Sequence, residues 1–323
     1  MSEITVSVIV PLYNEERYIR AFLDSLLTQT YPKEDMEWLL VDGDSSDRTV
    51  EIIKEYEGRG PLRLLRNPKR KTPYALNLAI EQARGEYIVR LDAHAAFPPD
   101  YIEKCVHYLN VTDADNVGGV AETKSKGFIG NAISHMLSTR FGVGGSDFRV
   151  GDGDKYVDTV PFGAFRKSVF ERVGLFNPAL LRSEDNEMNA RIRAAGGKIW
   201  LANDIRFQYY CRDTVKGILK MALQNGNALF RTLRVNRRAM GLRHFIPFFF
   251  LLSLLILPPL AAFFPLLGWA LAAEGSLYLL LDIYFSFFHK RPRLGLVALW
   301  LYPLFHVSYG LGSLLGLFGI ELY

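Results

Sequence analysis

Apolar and polar positions follow two alternating rhythms over the first 121 residues. Thr5 to Val10 is an unbroken β-branched and apolar run, the pattern of a parallel strand buried on both faces. Tyr18, Ile19, Phe22, Leu23, Leu26 and Leu27 then recur at helical spacing. Glu37 to Val41 reads as a second strand that ends at Asp42. A helix capped by Ser46 and Asp47 follows, carrying Val50, Ile53 and Tyr56. Leu62 to Leu65 is a third strand, and Thr72-Pro73 opens a helix that Gly85 closes. Glu86 to Leu91 is a fourth strand ending at Asp92. Pro98-Pro99-Asp100 opens the next helix, and Asn116 to Ala121 reads as another strand. This βαβ spacing predicts an α/β fold with a doubly wound, mostly parallel sheet.

The rhythm weakens after residue 121. Phe141 to Asp154 is rich in Gly and Asp and reads as a mobile loop. Glu184 to Ala195 is helical, with Met188, Ile192 and Ala195 along one face. Thr214 to Arg238 reads as one or two basic, partly amphipathic helices suited to a membrane surface. Two long apolar stretches follow, separated by Lys290-Arg291-Pro292-Arg293. A bilayer span needs about 20 residues, and Pro265 and Gly268 divide the first stretch. The pattern therefore predicts three spans, near 245–265, 268–288 and 294–318. A buried soluble core or a two-span hairpin is the alternative. Three spans with the basic runs on one side make that side cytoplasmic and put Tyr323 on the other.

Charge sharpens this division. The chain has a net charge of +4. From Phe245 onward there are three acids, Glu274, Asp282 and Glu321, against three bases, Lys290, Arg291 and Arg293. The positive excess lies earlier, and Arg212 to Arg243 holds eight Lys/Arg against Asp213 alone. A nucleic-acid surface would be basic too, but a run leading straight into an apolar region fits anionic lipid headgroups or phosphate better. Cys105 and Cys211 form no CxxC pair, so neither a disulfide framework nor a zinc site is expected. The N-terminus has no basic n-region of a signal peptide, so the first part is expected to stay in the cytoplasm. The expected organisation is a catalytic domain over 1–211, membrane-surface helices over 212–243 and a transmembrane region over 244–323.

Three acidic clusters carry candidate chemistry. Asp42-Gly43-Asp44 follows a strand and precedes a helix, where open α/β sheets bind nucleotides; turn and cap duties alone would also place acids at Asp44 and Asp47. Asp92-Ala93-His94 puts a carboxylate and an imidazole on one side of an extended segment, and both can ligate Mn²⁺. His94 could equally be a neutral donor behind the metal. Glu184-Asp185 opens a helix, whose dipole alone accounts for acids there; the functional reading makes one of them a general base.

The segments Val10-Pro11-Leu12-Tyr13-Asn14-Glu15-Glu16, Val41-Asp42-Gly43-Asp44-Ser45-Ser46-Asp47, Leu91-Asp92-Ala93-His94 and Ser183-Glu184-Asp185 occur in the order found in glycosyltransferase family 2. The chain resembles that family over roughly residues 4 to 240. The family's usual VDDGSTD stands here as VDGDSSD, and its DxD as DAH. That variant, with the membrane anchor, looks like the succinoglycan-biosynthesis subgroup, which builds bacterial exopolysaccharide on a lipid carrier. The resemblance implies a GT-A fold and an inverting transfer from a nucleotide sugar, a UDP-sugar, to a polyprenyl-linked acceptor at the inner membrane. It implies that Pro11, Tyr13, Glu15, Asp42 and Asp44 line the nucleotide pocket, with Asp42 on the base. It implies that Asp92 and His94 hold Mn²⁺ or Mg²⁺ on the diphosphate. Gly163, within Phe162-Gly163-Ala164-Phe165-Arg166, falls in the acceptor loop. Asp185 falls at the catalytic base, beside Glu184. Processive members carry QxxRW; here Gln224-Asn225-Gly226-Asn227-Ala228 lacks the Arg-Trp, which argues against a polymerase. Arg231 is a candidate phosphate contact. Nucleic acid is not expected as a partner.

Overall fold

The computed structural model describes residues 4–322, so Tyr323 lies outside the described residues. The chain divides into two compact units. One comprises residues 1–122 and 151–209, the other 123–150 and 210–323.

The first unit is built on β1 (Val6–Leu12), α1 (Ile19–Leu27), β2 (Met36–Asp42), α2 (Thr49–Lys54), β3 (Leu62–Arg66), α3 (Thr72–Gln82) and β4 (Tyr87–Arg90). Strands β3, β2, β1 and β4 lie side by side and all parallel, as the βαβ spacing predicts. β2 is buried along its whole length, and Val8, Ile9, Leu39, Leu40 and Val89 are fully buried. Beyond β4 the sheet changes character. β5 (Ala95–Ala96), α4 (Tyr101–Val111) and β6 (Asn116–Lys124) lead on, with β7 (Lys155–Tyr156), β8 (Ala164–Arg166) and β9 (Ile199–Tyr210) after the excursion into the second unit. The full order is β3-β2-β1-β4-β8-β6-β9-β5, with β7 on β9. β8 runs antiparallel to both β4 and β6, and β9 antiparallel to β5 and β7. The sheet is therefore mixed rather than mostly parallel. The chain between β4 and β8 runs through α4, β6 and the second unit rather than through one short crossover helix, so β8 returns antiparallel.

In the second unit, α5 (Gly127–Met136), α6 (Arg140–Val143) and α7 (Asp147–Val150) precede α8 (Ser168–Val173) and α9 (Glu184–Ala194), which belong to the first unit. α10 (Val215–Val235), α11 (Ile246–Ala261), α12 (Pro265–Ile283) and α13 (Gly295–Leu317) complete the chain. Residues 123–150 join the C-terminal helices for a packing reason. Ala132, Ile133, Met136 and Leu137 share one core with Ile218, Ala222, Ala298, Leu301 and Tyr302. Phe141 does not sit in a mobile loop. Its ring stacks on Phe285 with centroids 5.6 Å apart and meets Tyr302 at 4.9 Å. Among the described residues, three helical segments are long and apolar enough to cross a membrane: Leu242–Ala261, Pro265–Phe288 and Pro292–Leu317. The break falls at residues 262–264, so Pro265 opens the second helix at a position where its missing N–H costs nothing, and Gly268 lies inside it.

Candidate active site

Parallel pairing aligns the C-terminal ends of β1 and β2, with Leu12 beside Asp42, and brings Ile9 of β1 beside Arg90 at the end of β4. The loops that leave these ends are laced together by side chains. Asn14, in the left-handed region at φ +54°, accepts a hydrogen bond from Ser46 N–H at 2.8 Å, while its own N–H donates to Ser45 Oγ at 2.9 Å. Glu16 accepts from Arg48 N–H at 3.0 Å, and Asp47 Oδ2 from Glu16 N–H at 3.1 Å. Asp47 thus has the turn role weighed from sequence, also accepting from Thr49 N–H at 3.0 Å, while Arg48 and not Asp47 stands at the N-cap of α2.

Asp42 is buried, and both its carboxylate oxygens face Ser45: Oδ1 accepts from the hydroxyl at 2.6 Å and Oδ2 from the N–H at 3.0 Å. Asp44, at φ +58°, pairs with Arg66 at 2.6 Å and Arg70 at 3.7 Å. The Arg66 hydrogen bond, first of its causes, lowers the Asp44 carboxyl below its ordinary value. Pro11 closes β1, and Tyr13 beyond it is exposed. Glu15 faces His94, with Oε1 3.1 Å from Nδ1. A proton on Nδ1 would serve that contact and leave Nε2 as the lone-pair nitrogen, the arrangement typical of a metal-ligating imidazole.

Sequence reasoning passed over Arg90, which joins two of the acidic motifs. It is buried, with its guanidinium 3.0 Å from Glu184 Oε1 and 3.7 Å from Asp92 Oδ1. Burial opposes its charge, but Asp92, Glu184 and Asp185 outweigh that and raise its pKa. The usable signal was a lone cation in the apolar strand 87–91, since a buried charge demands a partner. Glu184 is itself buried; desolvation raises its carboxyl above the ordinary range, with Arg90 opposing and Asp185 adding to the rise. Asp185 is half-buried, and the one hydrogen bond its carboxylate makes among the described residues comes from Asn186 N–H at 2.8 Å. The two neighbouring acids therefore differ in kind: one locked in an ion pair, the other open.

Helix α9, which presents both acids, is pinned from behind. Asn189 accepts from Asn116 Nδ2 at 2.7 Å and donates to Thr159 Oγ1 at 2.8 Å. The Asn116 side chain also explains Gly163, because a Cβ there would collide with it. Gly163 carbonyl accepts from Arg90 N–H at 3.1 Å, so the acceptor-loop glycine abuts the Arg90 cluster. The fold thus gathers Glu15, Asp42, Asp92, His94, Gly163, Glu184 and Asp185 around the C-terminal ends of β2, β1 and β4. Arg231 lies in the second unit, paired with Glu321 at 3.1 Å. Gln224 and Asn227 are committed there too, donating to the carbonyls of Leu322 at 3.3 Å and Ile320 at 2.7 Å.

Among the described residues, no group of three or more His, Cys, Asp or Glu converges as a metal site. Asp92 and His94 nevertheless suit a divalent cation. Asp92 Oδ1 is buried without a hydrogen-bond partner. One or two protein ligands with substrate phosphates is the usual Mg²⁺ arrangement.

A family model described as glycosyl transferase family 2 matches residues 7–174. The chain belongs to this family. It is 30% identical over 259 residues to a dolichyl N-acetyl-α-D-glucosaminyl phosphate diacetamido-dideoxy-glucuronosyltransferase of Methanococcus voltae, covering 77% of this chain and 80% of that protein. It is 28% identical over 243 residues to the succinoglycan biosynthesis protein ExoA of Rhizobium meliloti, covering 74% of this chain and 73% of that one. Among solved structures, a mannosyltransferase from Pyrobaculum calidifontis, crystallised with GDP-Man and Mn²⁺, superposes with a TM-score of 0.67 at 20% identity, over 98% of this chain and 88% of that one. The fold of this glycosyltransferase is accordingly GT-A, an α/β domain followed by helices long and apolar enough to span a membrane.

Proposed function

We propose that this family 2 glycosyltransferase moves a single sugar, with inversion, from a UDP-sugar to a polyprenyl-diphosphate-linked saccharide in bacterial polysaccharide assembly. The observation that carries the reading is the contrast between the two acids at the start of α9. Glu184 is tied to Arg90 at 3.0 Å, whereas Asp185 keeps a carboxylate oxygen open. Asp185 takes the proton of the acceptor hydroxyl, and that oxygen attacks the anomeric carbon opposite the diphosphate, giving a β-linkage from an α-donor. Glu15 orients His94, Arg90 orients Asp92, and these two would hold Mn²⁺ or Mg²⁺, which when bound offsets charge on the leaving diphosphate. Asp42 and Tyr13 serve the nucleotide, and Gly163 the acceptor side.

Two observations favour a lipid-linked saccharide over other acceptors. The Methanococcus voltae relative is named for a dolichyl-linked sugar phosphate, an acceptor that already offers a hydroxyl needing a base. The Gln224–Asn227 segment, at the place of the processive motif, is taken up by packing and by the C-terminal carbonyls. The candidate spans tether the chain to the bilayer in which such a carrier resides. The test is a panel of UDP-sugars assayed for UDP release with membrane lipid extract. One sugar should give lipid-dependent release that Asp185→Asn abolishes. Lipid-dependent release that survives Asp185→Asn would instead indicate a lipid phosphate as the acceptor, which needs no base.

A further inference from the structure

The turn between the second and third candidate spans is built around a cavity of about 430 Å³, lined by Asn131, Lys290, Arg291, Pro292, Arg293 and Leu294. No acid lines it. Lys290 holds the left-handed region at φ +55°, a conformation that costs a non-glycine residue about 1 kcal/mol. The turn is fixed to the segment just after α5, and the helical residues before the turn are fixed to α5 itself. Lys290 Nζ donates to the Ser138 carbonyl at 3.0 Å, and His135 Nε2 lies 2.9 Å from the Phe285 carbonyl. Lys290 is thereby occupied. Arg291 and Arg293 are exposed, and among the described residues neither side chain has an acidic or hydrogen-bonding partner.

Orienting a membrane protein requires basic residues in such a loop but nothing more. It does not require a strained lysine, a turn pinned beside α5, or two unpaired guanidiniums beside a cavity. These features describe a receptor for an anion. Guanidinium forks match phosphate oxygens. The half-buried Asn131 adds a neutral donor. Pro292 and Leu294 give the cavity an apolar wall where a span begins. Its volume lies within the usual range of small-molecule sites.

We propose that this cavity binds the phosphate or diphosphate headgroup of a membrane lipid, with Arg291 and Arg293 on the phosphate oxygens and Asn131 completing the contact. Such chemistry is offered by a polyprenyl carrier and by an ordinary anionic phospholipid. The proposal goes beyond the transfer reaction and is read by binding alone, with no donor present.

The experiment uses the full chain in phosphatidylcholine nanodiscs, titrated separately with a polyprenyl phosphate, phosphatidylglycerol and free pyrophosphate, with occupancy read by native mass spectrometry. Arg291→Gln/Arg293→Gln should weaken lipid-phosphate binding about tenfold or more, since each basic residue near an anionic headgroup is worth about fivefold. Lys33→Gln/Lys54→Gln removes the same charge from exposed positions in the first unit and should change it less than about twofold. Asn131→Ala keeps every charge and should still cost about tenfold, the worth of a hydrogen bond to a charged group. Tighter saturation by the polyprenyl phosphate identifies the carrier as the ligand, and tighter saturation by phosphatidylglycerol identifies bulk lipid. Equal losses in the two charge variants overturn the proposal, as does pyrophosphate binding as tightly as either lipid. If the double arginine variant does not fold, Asn131→Ala decides, and unchanged affinity there overturns the site.

Discussion

At the scale of single residues, the site divides into groups that hold and groups that are left open. Asp185→Asn is nearly isosteric and suits a helix N-terminus as well as Asp does. Turnover should fall roughly 10²–10⁴-fold with donor KM near wild type, because only the general-base contribution is lost. Glu184→Gln should instead lower the thermal unfolding midpoint while keeping most turnover, since it breaks the ion pair with Arg90 at 3.0 Å. A folded Glu184→Gln enzyme with the larger rate loss would exchange the two roles. Arg90→Gln leaves buried Glu184 and half-buried Asp92 without a counter-charge and should cost about 3 kcal/mol of stability. Arg90→Lys should recover only part of this, because one ammonium cannot span both carboxylates as a planar fork does. Chelation with EDTA should abolish transfer and weaken UDP binding, with Mn²⁺ restoring both; calorimetric UDP affinity unaffected by EDTA would remove Asp92 and His94 from the metal role. The positions of Asp42, Asp92, His94 and the Glu184-Asp185 pair at strand ends and a helix start were legible because polar residues at such ends are local signals. Arg90 was not, because its meaning depends on Glu184, a partner 94 positions away. Asn14 and Thr49, which lace the loops, were hidden for the same reason.

At the scale of elements, legibility followed run length and period. β1, β2 and β4 of the parallel half are continuous buried runs or close to it, and each could be read alone. β8 has three residues and β5 and β7 two each, too few to show a period. β9 was missed although it carries a signal: Ile199, Leu201, Ile205 and Phe207 are buried while Arg206 and Gln208 are exposed. Its alternation is that of a sheet face half in contact with solvent, and the interposed Asn203-Asp204 obscured it. The pairing of α10 with α13 was also invisible in either helix alone. Gly226 lies against the Tyr309 carbonyl, and Gly312 against the Leu223 carbonyl, so the two backbones touch where any Cβ would intrude. Small residues permit such approach between helices in lipid, where apolar surface gives no net drive to associate. Gly226→Leu or Gly312→Leu should therefore destabilise the second unit by about 2 kcal/mol or more. Gly275→Leu, on α12 with nothing within 4 Å of its Cβ position, should leave the unfolding midpoint unchanged. Equal effects at Gly226 and Gly275 would mean that the α10–α13 contact does not carry the unit. Polar groups inside the candidate spans are likewise paired across helices. Ser253 donates to Glu274 at 2.7 Å, and His306 lies between Tyr278 and the Phe141 carbonyl, 2.9 Å from each.

At the scale of the whole molecule, three candidate spans follow the glycosyltransferase unit, and an odd number of crossings would put the two flanks of the spanning region on opposite sides of a bilayer. Charge sets the direction. Eight basic residues between Arg212 and Arg243 precede the first span, and Lys290, Arg291 and Arg293 lie at the turn between the second and third. If all three cross, two crossings separate these clusters, so one orientation satisfies both, and the positive-inside rule predicts that their side is the cytoplasmic one. Residues 262–264, between the first two spans, then face outward together with the C-terminus. A reporter fused after Tyr323 that is active only outside the cytoplasm should score positive, and a cytoplasm-only reporter at the same place should be silent. Phe264, exposed between the helices, gives an independent check. Phe264→Cys should react with a membrane-impermeant maleimide in intact cells, whereas Cys211, ahead of the first span, should react only after permeabilisation. A cytoplasmic C-terminal reporter with Phe264→Cys still labelled would mean that Pro292–Leu317 does not cross. That outcome is physically conceivable because this helix is the most enclosed of the three, with 44% of its apolar window buried within the protein against 11% and 6% for the others. The two measurements together therefore separate a three-span anchor from a two-span hairpin with a third helix folded against α10, and the labelled Phe264→Cys fixes the orientation in either case.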